Sequence, residues 1–292
     1  GAKIVVFPEL CITGYTCNDL FLQELLLEKA KEALLTIAEE TGQLETLFLV
    51  GLPVDKDGRL YNVAAVLYRG RILGMIPKKN IPMYAEFYEG RHFTPGEETV
   101  TEYRLGKQVI PFGSNLLFRC EELPELILGC ELCEDLWVAE PPSTSHALMG
   151  ATVIANLSAS NETVSKDDYR TLLIKASSAR LLCGYIYTSA GEGESTQDLV
   201  FGGHDLIADG TYNCLAGAPW EQGMNGAAWA LLALDSKGYE VPEGAKYTRE
   251  DLISYILGKE LSGGGWSLDD KNPSLDLDIT SMVVYALAPH AA

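Results

Sequence analysis

The chain has 292 residues, 47% of them hydrophobic and 22% charged, which describes a globular protein of one large or two ordinary domains and excludes a disordered one. Its net charge of −19 is spread along the chain, and that excludes a nucleic-acid or anionic-membrane surface as a principal function. There is no run of about 18 apolar residues to span a membrane, and seven cysteines without a repeated spacing fit reduced thiols in a cytoplasmic protein better than a disulfide frame.

Taken in order, Lys3–Phe7 reads as a short buried strand that ends at Pro8-Glu9 and the turn Thr13-Gly14-Tyr15. Asn18 or Asp19 is expected to cap a long helix running to about Glu40 and stopping at Gly42, with Leu22, Leu25, Leu26, Ala30, Leu34 and Ile37 at helical spacing. Leu47–Gly51 reads as a second buried strand. Tyr61–Tyr68 and Arg71–Ile76 read as a hairpin about Arg69-Gly70. Pro77–Phe93 is a charged, aromatic loop, and short strands are expected near Val109 and Leu116.

Leu126–Gly129 begins another strand, with Cys133 at its end among Glu131, Glu134 and Asp135. A short helix from Pro141-Pro142 to Met149, a strand at Ala151–Ala155, a helix capped by Asp167 or Asp168 and ending at Leu182, and a strand at Tyr185–Ser189 follow. Leu199–Phe201 and His204–Ala208 read as a last hairpin. Strand, polar loop, helix, strand in repetition argues for α/β layers. The pattern changes near Gly210. Residues 211–292 read as helices (Asn225–Leu234, Thr248–Leu261, Asp278–Ala288) between Gly-rich turns, and hold three of the four tryptophans, Trp220, Trp229 and Trp266. Domains are therefore expected at 1–210 and 211–292.

Three apolar strands each end on one conspicuous polar side chain: Glu9, Lys78 and Cys133. A thiol can attack a carbonyl-type carbon, a carboxylate can take its proton and pass it to a leaving nitrogen, and an ammonium can stabilise the oxyanion. No histidine is placed to act as the base, His92 being the nearest by context. Each residue also has a plain structural reading: Glu9 as a loop-end cap, Lys78 as a solvated hairpin end beside Lys79, and Cys133 as a core thiol. Cys130-x-x-Cys133 is the spacing of a redox pair or half a metal site, but no second cysteine pair or histidine pair accompanies it, so no metal is expected.

Phe7-Pro-Glu-Leu-Cys-Ile-Thr-Gly-Tyr15, Pro77-Lys-Lys-Asn-Ile-Pro-Met-Tyr84 with Phe87-Tyr-Glu89, and Gly129-Cys-Glu-Leu-Cys-Glu-Asp-Leu-Trp137 resemble the three signatures of the nitrilase (carbon–nitrogen hydrolase) superfamily. The longer strings 14–21, 86–91 and 133–138, with Pro141-Pro142-Ser143, resemble the glutaminase domain of glutamine-dependent NAD+ synthetases. The resemblance covers residues 1–210. It implies a four-layer αββα sandwich, here truncated, with a C-terminal helical segment. It also implies Glu9 as general base, Lys78 as oxyanion stabiliser, Cys133 as nucleophile, Glu89 as a second, ordering glutamate, and the backbone N–H of Glu134 as a second oxyanion donor.

Glutamine-pocket positions fall on Tyr15, Tyr84, Phe87, Ser160 and Lys166, the last an arginine in some members. The implied reaction releases ammonia from glutamine and hydrolyses a γ-glutamyl thioester. It needs no cofactor, while ATP and Mg belong to a synthetase domain or partner that accepts the ammonia, and a homo-oligomer is plausible by analogy.

The resemblance also implies a strand and helix before Gly1, closing strands after Gly210 and an ATP-binding domain, and none of these strings is in the 292 residues. Residues 229–236, 248–256, 263–266 and 276–288 resemble α/α-toroid repeats of prenyltransferase and squalene-cyclase-like proteins. Such a fragment must bury its apolar face on something else. Asp276 and Asp278 could mimic a cyclase acidic motif, but Asp278 as the helix cap is the simpler reading, as are Asp235 as a helix-end turn residue and Trp220 and Trp266 as core. An alternative is an inactive, truncated or fused chain whose helical tail is a binding or assembly module.

Overall fold

The computed structural model describes residues 2–194, 199–208, 223–235, 240–241, 245, 247–267 and 273–290. Trp220 lies outside them. Eleven strands among these residues form two sheets. The first is built from β1 (Ile4–Val6), β2 (Leu47–Lys56), β3 (Arg59–Tyr68), β4 (Arg71–Pro77), β5 (Thr101–Leu105) and β6 (Gln108–Phe112), in the order β1-β2-β3-β4-β6-β5. The second is built from β7 (Leu117–Arg119), β8 (Ile127–Leu132), β9 (Val153–Ser158), β10 (Gly184–Ser189) and β11 (Leu206–Ala208), in the order β11-β10-β9-β8-β7. In the second sheet β8, β9 and β10 are parallel, with Cys130 opposite Ala155 and Ala155 opposite Ile186.

Side-chain alternation along the strands sorts the residues into layers. Ala64 and Val66 of β3 meet Leu128, Cys130 and Leu132 of β8 in the core between the sheets. Val63, Ala65 and Leu67 point the other way, into a second core closed by Leu34 and Ala38 of α1 (Glu24–Glu40). On the far side of the second sheet, Ile154, Tyr185 and Tyr187 pack with Ile174 of α3 (Lys166–Leu181), and α2 (Pro142–Leu148) packs beside β8. The order is helix, sheet, sheet, helix, which is the four-layer αββα sandwich.

The differences from the sequence expectation are local. Residues Tyr15–Leu22 form 3-10 turns broken at Asn18, whose φ of 49° and ψ of −131° stop the winding, and α1 begins only at Glu24. Asp19 caps nothing there, because its carboxylate is held by Arg91 (2.7 and 2.9 Å) and His92 (2.9 Å). Ser165 is the N-cap of α3, and Asp167 and Asp168 lie inside its first turn, where the helix dipole favours carboxylates. Phe201 bridges to Asn161 and not to β11, so the expected hairpin at 199–208 does not form. Thr101–Leu105 is a strand that its alternating charged residues concealed.

Contacts divide the chain into Gly1–Gly210 and Thr211–Ala292. In the second unit α4 (Gly223–Asp235), α5 (Arg249–Gly258) and α6 (Leu277–Leu287) bury Leu231, Ile256 and Val283 together. Trp266 is core, its indole N–H donating to the Ile256 carbonyl at 2.7 Å. Asp276, not Asp278, caps α6, accepting from the amides of Asp278 and Ile279 at 3.0 and 2.9 Å. Asp235 closes α4 and pairs with Arg249 (2.8 Å) and His290 (2.6 Å).

One glycine decides where the loop after β1 can lie. A Cβ on Gly51 of β2 would come within 2.3 Å of the Leu10 amide nitrogen and 2.8 Å of the Pro8 carbonyl. The contact is backbone on backbone, so no side-chain rotation relieves it. Gly51→Ala should therefore cost about 2 kcal/mol or more in chemical denaturation and displace Glu9. A stability equal to the parent protein would show that the loop has room to give.

Candidate active site

The edge where β1, β4, β8 and β9 end gathers the polar residues. Glu9 follows β1, Lys78 follows β4, Cys133 follows β8, and Ala159 and Ser160 follow β9. Lys78 is fully buried, and its ammonium donates to Glu9 Oε1 at 2.7 Å and to Glu89 Oε1 at 2.6 Å. That removes its reading as a solvated hairpin end. Tyr15 donates its hydroxyl proton to Glu89 Oε1 at 2.8 Å, and the Ala159 amide donates to Glu9 Oε2 at 3.0 Å. Glu9 is fully buried as well, and its carboxylate is shared between the Lys78 ammonium and the Ala159 amide.

Sequence reasoning missed Asn62. Its side-chain amide donates to Glu9 Oε1 at 2.7 Å and reaches Glu89 Oε2 at 3.4 Å, so it spans the two carboxylates behind the lysine. The signal was present: Asn62 is the one amide in the apolar run 60–67 of β3.

Burial favours neutral groups, and here it competes with close charges. Burial works against the Lys78 ammonium, but Glu89, Glu9 and Cys133 outweigh it and hold its pKa well above the ordinary lysine value. Burial first, and then the neighbouring Glu9 charge, push the Glu89 carboxyl up, with Lys78 pulling the other way. Burial raises the Cys133 thiol, Glu9 and Glu89 add to that, and Lys78 and the Ala159 amide oppose it. The thiol is thus a neutral S–H at rest, facing a carboxylate that can take its proton. Cys133 stands at φ 42°, in the left-handed region, where the chain turns abruptly from strand into the 3-10 turn Cys133–Leu136.

The expected pocket residues divide. Tyr84 and Phe87 meet edge to face at 5.7 Å, and the Tyr84 hydroxyl donates to Glu134 at 2.8 Å. The Lys166 ammonium lies 5.6 Å from the Phe87 ring centre and 5.4 Å from that of Trp137, and donates to Asn161. Burial lowers its pKa, and Cys133 is the first group pulling it back up. Tyr84, Phe87 and Lys166 are thus linked in one cluster, tied at Glu134 to the residue after Cys133. Tyr15 stands behind Glu89 with its hydroxyl committed, and Ser160 is buried with its hydroxyl accepting from Arg170 at 3.3 Å.

Cys130 is a buried residue of the core between the sheets and is a free thiol, as is Cys133. Among the described residues no group of three or more His, Cys, Asp or Glu could hold a metal ion, and no helix is long and apolar enough to cross a membrane.

The family model for carbon-nitrogen hydrolases matches residues 1–231. The chain belongs to the carbon-nitrogen hydrolase family. Among its relatives in that family, the glutamine-dependent NAD(+) synthetase of Mycobacterium tuberculosis is 38% identical over 292 residues, which is 100% of this chain and 40% of the relative. That of Thermotoga maritima is 34% identical over 212 residues, 72% of this chain and 33% of the relative. The crystal structure of a glutamine-dependent NAD(+) synthetase from Cytophaga hutchinsonii matches with a TM-score of 0.64 and 31% identity, over 72% of this hydrolase chain and 33% of that one. An amidase of the nitrilase superfamily from Nesterenkonia shares the fold at a TM-score of 0.54 and 19% identity, over 72% of each chain. The chain spans well under half the length of the synthetases it matches.

Behind the thiol strand lies a further buried carboxyl. Glu131 points away from the core between the sheets, accepting from the Ser143 amide at 2.8 Å and from the Tyr185 hydroxyl. Burial, with Asp135 adding to it, pushes its pKa up to about 7 against the hydrogen bonds from Tyr185 and Ser143. A carboxyl raised in the folded state binds its proton more tightly there than in the unfolded chain. Its contribution to stability is therefore full below about pH 4.5 and is lost as pH rises through 7. The stability of the parent protein relative to Glu131→Gln should fall by up to about 3 kcal/mol between pH 4.5 and 8 in urea titrations. A flat difference would show that the carboxyl ionises normally.

Proposed function

We propose that this chain carries the glutaminase step of a glutamine-dependent NAD+ synthetase. The observation that supports the reading most directly is the fully buried Lys78 ammonium, held by Glu9 and Glu89 and acting on the ionisation of Cys133. A structural ion pair requires no thiol, and a core thiol requires no ion pair.

In this reading Cys133 Sγ attacks the side-chain amide carbon of glutamine while Glu9 takes the thiol proton. The carbonyl oxygen becomes an oxyanion, held by the Lys78 ammonium and the Glu134 N–H. That N–H opens the 3-10 turn, where the first amides have no partner within the helix. The carbon–nitrogen bond breaks as Glu9 passes its proton to the leaving nitrogen, releasing ammonia and leaving a γ-glutamyl thioester. Water then attacks the thioester, Glu9 takes the water's proton and returns it to the thiolate, and glutamate leaves. Glu89 holds Lys78 in place, and Tyr15 holds Glu89. Tyr84, Phe87 and Lys166 line the approach to the thiol, and Ser160 shapes its floor through Arg170.

The ammonia would pass to a synthetase part that makes NAD+ from deamido-NAD+ with ATP and Mg, while the hydrolytic step itself uses no cofactor. Free cysteines fit a cytoplasmic setting, and association with copies of itself is carried over from the family. For residues 211–292, whose sequence resembles toroid repeats, the role proposed is packing or assembly and not cyclase chemistry. Asp276 there is committed to capping α6.

The test is covalent labelling with a diazo-ketone analogue of glutamine, read by intact mass and peptide mapping, beside ammonia release from glutamine. One label per chain on Cys133 is expected, and Cys133→Ala should lose both the label and the activity while keeping its circular-dichroism spectrum. Ammonia release that persists in Cys133→Ala would refute the nucleophile. Lys78→Ala should slow acylation and deacylation alike in single-turnover work by at least about 100-fold, because both pass through an oxyanion. It should also destabilise the fold by about 3–5 kcal/mol, since it leaves two buried carboxyls without their cation.

A further inference from the structure

Between the thiol turn and the lysine loop stands one carboxylate with no part in the chemistry above. Asp135 is 1% exposed and all of its acceptor capacity faces N–H donors. Its Oδ1 accepts from the Asn80 amide at 2.7 Å and from the Asn80 side-chain nitrogen at 2.8 Å. Its Oδ2 accepts from the Leu132 amide at 3.1 Å and more weakly from the Lys79 amide at 3.4 Å. Three of these donors belong to the two residues after Lys78, and one to the residue before Cys133. The carboxylate thus holds the first residues after Lys78 and the residue before Cys133 at once, from a position two residues past the thiol.

The geometry explains why both segments need holding. Cys133 sits at φ 42°, a conformation a non-glycine residue keeps only when its surroundings impose it. The Leu132 amide bonded to Asp135 closes that turn as a capping box does. On the other side, Lys78 follows directly on β4, and its ammonium is fixed by Glu9 and Glu89 while the backbone after it runs into the loop at 78–84. With the Asn80 and Lys79 amides fastened to Asp135, the start of that loop is fixed to the thiol turn.

We propose that Asp135 is a positioning residue, whose carboxylate fastens the Lys79-Asn80 segment to the Cys133 turn and thereby sets the Lys78 ammonium against the thiol. The proposal rests on the glutaminase reading for its kinetic test. It makes a chemical demand that can be met only by a carboxylate: four donors converge on two oxygens, two on each. An asparagine has the same shape but only one oxygen. Whichever way its amide is turned, its NH2 faces two N–H donors, either those of Asn80 or those of Leu132 and Lys79.

The experiment compares the full chain with D135N and N80A. N80A removes one of the four donors and keeps the backbone amides. Steady-state ammonia release gives kcat and KM separately. Alkylation of Cys133 by a small neutral thiol reagent at pH 8, followed by peptide mass spectrometry, reports on the thiol without any substrate. Circular dichroism and thermal unfolding report on folding.

The expected result is a folded D135N with kcat lowered at least about 100-fold, KM within about threefold, and Cys133 alkylation slowed several-fold. The slowing follows because Lys78 is the charge that pulls the thiol pKa down. N80A should show the same pattern at about tenfold in kcat. A folded D135N with unchanged kcat and unchanged alkylation overturns the proposal, as does a loss carried entirely by KM. If D135N does not fold, N80A decides: a normal kcat there overturns it. If the parent protein releases no ammonia from glutamine, the glutaminase reading fails by itself, and the alkylation rates of D135N and N80A still decide this one.

Discussion

A lysine ammonium buried between two carboxylates is the arrangement on which the rest of this structure depends. In a low-dielectric interior an isolated charge is costly enough that it would neutralise, and only close, hydrogen-bonded partners keep it. Lys78 has two such partners at 2.6–2.7 Å, and each carboxylate is in turn held, Glu9 by Asn62 and Ala159 and Glu89 by Tyr15. The set still contains one more carboxylate than cation. Burial first, and then this surplus negative charge, raise the Glu89 carboxyl and the Cys133 thiol against the pull of Lys78, so both sit more easily neutral. In the proposed reaction, a thiol neutral at rest is the state from which proton removal by Glu9 and attack can be concerted.

The two sheets deliver these groups by simple topology. β1 and β2 run parallel, β3 reverses, and β4 reverses again, so β1 and β4 end on the same edge of the first sheet. β8 and β9 run parallel in the second sheet and end together. Face-to-face packing through Ala64, Val66, Leu128 and Leu132 brings the two edges together. Residues just past the ends of strands are thereby fixed by rigid elements while remaining free of the sheet ladders, which is the usual place for ligands in α/β proteins.

Strain and close approach are concentrated at the same edge. Cys133 holds a left-handed backbone, and the Glu9 loop presses so closely on β2 that only a glycine fits at position 51. Both features are tolerated because well-packed layers on either side over-determine them. The helical unit at 211–292 follows different rules. Its core is built on Trp266, Ile256 and Val283, and its charged contacts tie helix ends together through Asp235.

The strands and helices were largely legible because burial on one or two faces leaves a period in the sequence: β2, β3, β4, β8, β9 and β10 were read from apolar runs, and α1 from helical spacing. Glu9, Lys78 and Cys133 were legible as polar residues ending such runs. The misread helix caps share one cause. Asn18, Asp19, Asp167 and Asp278 are good caps by residue type, but a cap is decided by competition for the side chain and by backbone angles. Arg91 and His92 won Asp19, and the chain angles at Asn18 broke the helix.

Asn62, Glu131 and Asp135 could be seen as polar residues in or beside apolar strands, but not what they hold, since all their partners but the nearby Leu132 amide lie 12 to 56 positions away. The sequence by itself determined the chemical parts and the strands that carry them. Only the tertiary structure decided which carboxylates meet the ammonium and which props the turn, because those assignments are made by distance in a buried, low-dielectric space and leave no period along the chain.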